Sequence, residues 1–239
     1  MTDQSAESPI EADPADVAED PEQTAERAER ASSRRRKRFG PSGLVALLLA
    51  LLVIGWLGWQ FLVSGLVARV HYQNQIDELR TRWEAGEPPA PIERGDAYAI
   101  LTVPEWGEGY AVPVLAGTRR QELSRGVGAY AAATPPGQIG NFSLAGYRTT
   151  HGSPFGKLLT LDEGDEVVIE TRDAVFTYVI DVPARDVTVG ADDAWVLAPV
   201  PGTEDEPTRP TLTLTTSQDL VWSNDRSVAF GHLAGTRNK

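Results

Sequence analysis

No cysteine occurs in the 239 residues. That absence excludes disulfides, thiolate catalysis and cysteine-ligated metals. Histidine is scarce as well. His71 and His232 stand without metal-ligand company, and no metal or cofactor is expected. Charge is missing from one long stretch: none lies between Arg38 and Arg69, and residues 43–67 are almost wholly apolar. About 20 apolar residues span a bilayer. Only Ser42, Gln60 and Ser64 offer polarity there, too little for the wet face of a soluble helix. The run is longer than a signal-peptide core, and Leu66, Val67 and Ala68 make a poor cleavage site. A single retained transmembrane helix over 39–70 is therefore expected.

What is present orients that helix. Arg34, Arg35, Arg36, Lys37 and Arg38 precede it, whereas only Arg69 and His71 follow closely. Basic flanks stay in the cytoplasm, so the N-terminus is expected inside and the C-terminal bulk outside the cell membrane. Contact of Arg34–Arg38 with anionic lipid follows from the same placement. Residues 1–33 hold ten acidic residues, two arginines and little that is apolar. Such a segment cannot offset its ordering entropy, and 1–38 is read as a disordered cytoplasmic tail, acidic then basic. Residues 71–239 carry 24 Asp and Glu against 14 Lys and Arg. This acidic balance favours solubility and argues against nucleic acid as a partner.

After the anchor, Ile76, Leu79 and Trp83 recur at helical spacing until Pro88, Pro89 and Pro91 end the pattern. Residues 71–95 read as an extracellular stalk or linker. From 96 to 239, short alternating runs between Gly and Pro turns indicate an all-β domain. Strands are expected at 97–103, 110–115, 141–147, on both sides of Arg172-Asp173, at 211–217 and at 227–233, about eight in all. Pro113 suggests an edge or a bulge. A short helix at 118–123 is expected with Thr118 as its cap. The acidic loop at Glu204, Asp205 and Glu206 reads as solvated charge rather than a calcium site.

The order of these pieces is not generic. LTVPEWG is followed by PVL, by GNFSLAGYRTTHGSPFGKLLTLDEGDEVVIET, by TLTLTTS, and by an arginine nine residues further on. Over roughly 96–233 the chain resembles the sortases, and most closely the class E sortases of Gram-positive bacteria. The resemblance implies a closed eight-stranded β-barrel with short helices. It also implies cysteine transpeptidase chemistry: a thiolate attacks the Thr–Gly bond of an LPXTG- or LAXTG-type sorting signal, a histidine acts as acid, and an arginine steadies the oxyanion.

Two positions depart from that pattern. Ser217 stands where the family motif TLTTC has its cysteine, and Tyr147 stands where AGHRTTYG has its histidine. Arg226 is retained, and GAY at 128–130 replaces the usual GHY. A serine hydroxyl needs an adjacent base to attack, and a phenol with a pKa near 10 is a poor base at neutral pH. A membrane-anchored, catalytically inactive sortase-like protein is therefore expected, a pseudoenzyme. Its partner would be a sorting-signal peptide, a surface-protein precursor or an active sortase. The alternative is an active transpeptidase or hydrolase. There Ser217 is the nucleophile, His151 (four residues beyond Tyr147) the base, and Arg226 the oxyanion stabiliser.

Overall fold

The computed structural model describes residues 41–87, 91–190, 192–218 and 224–239; the side chains at 41, 42, 44 and 57–66 lie outside that description. The expected tail at 1–38, residues 39 and 40 of the expected anchor, Pro88, Pro89 and Asp219 also lie outside it. The chain divides into two compact units, Met1–Trp56 and Leu57–Lys239. The first contributes a helical stretch whose large apolar side chains, among them Leu48, Leu52 and Trp56, are exposed. Among the described residues no helix is long and apolar enough to cross a membrane.

Helix α1 (Pro41–Glu84) begins on a proline, which suits the first turn because its missing N–H would be unpaired there anyway. It ends where Gly86 takes φ +68°, a left-handed stop. Its last part is no free stalk. Tyr72, Ile76 and Leu79 are buried, and Ile76 and Leu79 cluster with Ile100 of the barrel, with Trp83 packed alongside. Spacings of four, three and four put these side chains on one stripe. Gln75 reinforces the contact: its Nε2 donates to the carbonyl of Arg125 at 3.0 Å, and Arg125 Nη2 donates back to its Oε1 at 3.0 Å.

Nine strands follow among the described residues: β1 (Ala97–Thr102), β2 (Ala111–Ala116), β3 (Val127–Ala129), β4 (Gly140–Ala145), β5 (Glu166–Glu170), β6 (Ala174–Val182), β7 (Thr188–Val189), β8 (Pro210–Ser217) and β9 (Arg226–Asn238). They pair in the order β6-β5-β1-β2-β3-β4-β8-β9-β7, and a further β6–β9 pairing joins the ends. Eight strands thus close into a barrel, and the two-residue β7 hooks onto the start of β9. Closure removes the unpaired edges that invite aggregation. β2–β3 and β4–β8 run parallel; the other pairs are antiparallel.

Alternation decides what fills the barrel. Leu101, Val112, Val114, Phe142, Leu144, Ile169, Tyr178, Leu212 and Leu214 belong to one buried cluster. Two local expectations are corrected. Helix α2 (Arg120–Leu123) is entered from Arg119 with no side-chain cap, so Thr118 does not serve. Pro113 lies in an interior strand and makes no bulge there. It is tolerated because pairing with β3 starts only at Val114, and the register shift falls between Ala97 and Ala99 of β1.

Candidate functional site

The site grows from the parallel pairing of β4 with β8. Asn141 lies opposite Thr211, Ser143 opposite Thr213, and Ala145 opposite Thr215. Phe142, Leu144, Leu212 and Leu214 face the core, so by the two-residue period Asn141, Ser143, Ala145, Thr213, Thr215 and Ser217 take the outer face. At one end that face is covered. Asn141 Nδ2 donates to the carbonyls of Val196 at 3.2 Å and Ala198 at 2.9 Å, and Thr213 Oγ1 donates to Asn141 Oδ1 at 2.8 Å. Tyr130 reaches the same face from the end of β3, its hydroxyl 3.1 Å from Thr215 Oγ1.

At the other end the ladder continues past β4. The amide of Gly146 donates to the Thr215 carbonyl at 3.1 Å, and Thr216 Oγ1 donates to the Gly146 carbonyl at 2.9 Å. The next residue, Tyr147, therefore arrives level with Ser217. In the antiparallel β8–β9 pair, Ser217 lies directly opposite Arg226, and opposed residues share a face. Tyr147, Ser217 and Arg226 thus occupy neighbouring positions at one end of three strands.

Their side chains do not form a catalytic relay. Ser217 is half-buried, and among the described residues its hydroxyl has no hydrogen-bond partner. The ring of His151 stacks on that of Tyr147, with centroids 4.7 Å apart and planes 22° from parallel. Its Nδ1 lies 3.0 Å from Thr150 Oγ1. His151 is thus beside the site through Tyr147 but not bonded to Ser217. Arg226 is exposed and makes no ion pair among the described residues.

One member of the site escaped the sequence reading. Arg148 Nη1 donates to the carbonyls of Gln218 and, at 3.5 Å, of Ser217, while its Nε is buried without a partner. A guanidinium over two carbonyls ties the end of β8 to the loop leaving β4. Its place beside Tyr147 in AGYRTT was the signal available. The neck of the β8–β9 connection is held by Gln218, whose backbone N–H donates to the Asp225 carbonyl at 2.9 Å and whose Oε1 accepts from Ser227 Oγ.

Next to Tyr130 opens a cavity of about 460 Å³, lined among others by Arg94, Tyr98, Thr118 and Arg119. Burial pushes the Tyr98 phenol up from its ordinary value, so it stays protonated, a donor at the cavity wall. Arg94 and Arg119 form no ion pair among the described residues. No group of metal-ligating side chains occurs among the described residues.

A closed barrel with its candidate site at the ends of β4, β8 and β9 is the arrangement of the sortase fold, and comparison with known proteins agrees. A family model described as "Sortase domain" matches residues 101–234. The chain is 35% identical over 181 residues to sortase SrtE1 of Streptomyces coelicolor, covering 71% of this chain and 50% of that protein. It is 30% identical over 128 residues to sortase SrtE2 of the same organism. The chain spans about half the length of these curated relatives. Among solved structures, sortase E from Streptomyces avermitilis is 37% identical, with TM-score 0.55 over 61% of this chain and 93% of that one. Sortase E1 of S. coelicolor, solved with a tripeptide in its active site, is 32% identical, with TM-score 0.53 over 60% and 91%. The chain belongs to the sortase family, and its likeness is to class E.

Proposed function

We propose that this chain is a membrane-anchored, extracytoplasmic sortase-like protein without transpeptidase activity, binding a sorting-signal-like peptide carried by a surface-protein precursor or offered by an active sortase. One observation carries the reading: at the end of β8 the nucleophile position holds Ser217, and among the described residues no base is bonded to its hydroxyl. A hydroxyl without a neighbouring base is not activated. Peptide binding draws support from the cavity beside Tyr130, where Arg94 and Arg119, without an ion pair among the described residues, and the Tyr98 phenol offer donors to a peptide's carbonyls and carboxylates. On this reading 1–38 is the cytoplasmic tail, 39–70 the anchor, 71–95 the link to the barrel and 96–239 the binding domain. Support for the anchor lies in the charge-free run after Arg38 and in the exposed apolar side chains between Val45 and Trp56.

The test is a titration of the full chain, held in detergent micelles, with LPXTG- and LAXTG-type peptides. Saturable binding with a Kd of roughly micromolar order, about −8 kcal/mol, is expected for at least one; no binding to either overturns the peptide reading. One observation favours a second reading. The stack on Tyr147 keeps the His151 imidazole beside the site. If His151 leaves Thr150 and reaches Ser217, with Arg226 on the oxyanion, the chain is a serine acyltransferase or hydrolase. A peptide ester on the protein, abolished by both Ser217→Ala and His151→Ala, would select it.

A further inference from the structure

The loop leaving β4 contains three successive residues in left-handed conformation: His151 at φ 52°, Gly152 at φ 79° and Ser153 at φ 52°. Glycine takes this region freely. Histidine and serine do not, and such conformations persist only where surrounding contacts impose them. Two phenols bracket this turn. Tyr72 of α1 donates its hydroxyl to the His151 carbonyl, and Tyr110, just before β2, donates its hydroxyl to the Pro154 carbonyl. Tyr72 is 2% exposed. Burial pushes its phenol up to about 12 and pushes Tyr110 higher still, with Tyr72 adding to that rise and Arg69 opposing it. Both therefore remain donors throughout the physiological range. The helix approaches so closely that a Cβ at Gly152 would meet the Ala68 methyl at 2.8 Å and the Tyr72 hydroxyl at 3.2 Å.

We propose that Tyr72 and Tyr110 are positioning residues of the site, clamping the turn 151–153 so that the His151 ring lies stacked on Tyr147. The helix before the barrel is thereby part of the site. The hydroxyl from residue 72 fixes the carbonyl of the residue whose side chain stacks on Tyr147, which stands level with Ser217. A barrel released from α1 loses half of the clamp, and the loop bearing Tyr147 and His151 relaxes. The consequence for ligand affinity rests on the peptide-binding reading, but the clamp itself does not.

The experiment uses the full chain in detergent micelles and compares Tyr72→Phe, Tyr110→Phe and Gln75→Ala with the unaltered protein. The first two remove one oxygen each. The third loosens α1 at Arg125, away from the loop. Amide hydrogen exchange is read at Ser153, Phe155 and Gly156, whose N–H groups bond to Thr150, Tyr147 and Ser153 carbonyls, together with the ring-current shift of the His151 imidazole. Each phenylalanine variant is expected to speed exchange there by about fivefold or more, the size of one net hydrogen bond, and to shift the His151 ring resonances toward unstacked values. Gln75→Ala is expected to do neither. Unchanged exchange in both phenylalanine variants would overturn the clamp. So would an equal rise in Gln75→Ala, because the loop would then be responding to any loosening of the helix. These readouts need no peptide, so a failure to bind sorting signals leaves the outcome for the clamp separate.

Discussion

A hydroxyl at 217 and a phenol at 147 decide the chemistry of this barrel. A cysteine supplies a few per cent thiolate at neutral pH, whereas serine supplies no comparable anion. The ring of Tyr147 is stacked on that of His151. The backbone that carries these positions remains ordered: β8 reaches Ser217, Arg226 stands opposite it, and Arg148 holds the strand end. Restoring the two family residues, Tyr147→His with Ser217→Cys, is therefore expected to yield measurable transfer of a LAXTG-type peptide to an amine, read by mass spectrometry. Adding Arg226→Ala to that pair should reduce the recovered rate by about 10²–10³, as for loss of one oxyanion donor. No activity in the restored pair would mean that the groove itself no longer accepts the peptide.

At the scale of elements, the outer face of β4 and β8 depends on a buried polar knot. Asn141 serves Thr213 and the carbonyls of Val196 and Ala198 at once. Asn141→Ala removes the donor from the Ala198 carbonyl and the acceptor from Thr213, which keeps its bond to the Val196 carbonyl at 3.3 Å; the expected loss is about 1–3 kcal/mol, which a lowered urea midpoint would register. A second element-level contact responds to pH. Burial pushes the Glu170 carboxyl up, but hydrogen bonds from Lys239 and Arg80 outweigh it and hold the group below its ordinary value of 4.5. A depressed carboxyl stabilises the fold above its unfolded pKa, and that contribution fades as pH falls through the lower native value. Glu170→Gln should therefore lower Tm at pH 7, and the difference from the parent should shrink below about pH 4.5.

The elements also separate what is legible in sequence from what is not. Leu212 and Leu214 alternating with threonines announced β8, and the turn at Arg172-Asp173 announced β5 and β6. β3 and β7 have three and two residues, too short for a period to show. The tail of β9 beyond Leu233 is polar and exposed, and pairing with β6, not alternation, makes it a strand. The burial of Tyr72 and its bond to a carbonyl 79 residues away leave no local mark. The likeness to sortases supplied the positions Tyr147, Ser217 and Arg226; only the register put them side by side.

For the whole molecule, the question is where the barrel sits. The segment after Arg38 and the basic run before it lead us to propose a single span with the barrel outside. External protease on intact cells is expected to degrade the barrel and leave a short N-terminal fragment, containing the tail, in the membrane fraction. A barrel protected until the cells are opened would refute that orientation. The proposed clamp adds a whole-molecule consequence: Tyr72 of α1 bonds the loop that carries His151, so a barrel cut free of that helix is not equivalent to the intact chain.

The measurement that bears most directly on the proposed absence of catalysis is an intact-mass assay of the unaltered chain. The protein is incubated with a LAXTG-type peptide and an amine acceptor, and both protein and peptide masses are followed. No acyl increment on the protein and no transfer or hydrolysis product above the protein-free background are expected. A product or ester that appears with the unaltered chain and vanishes in Ser217→Ala would contradict it.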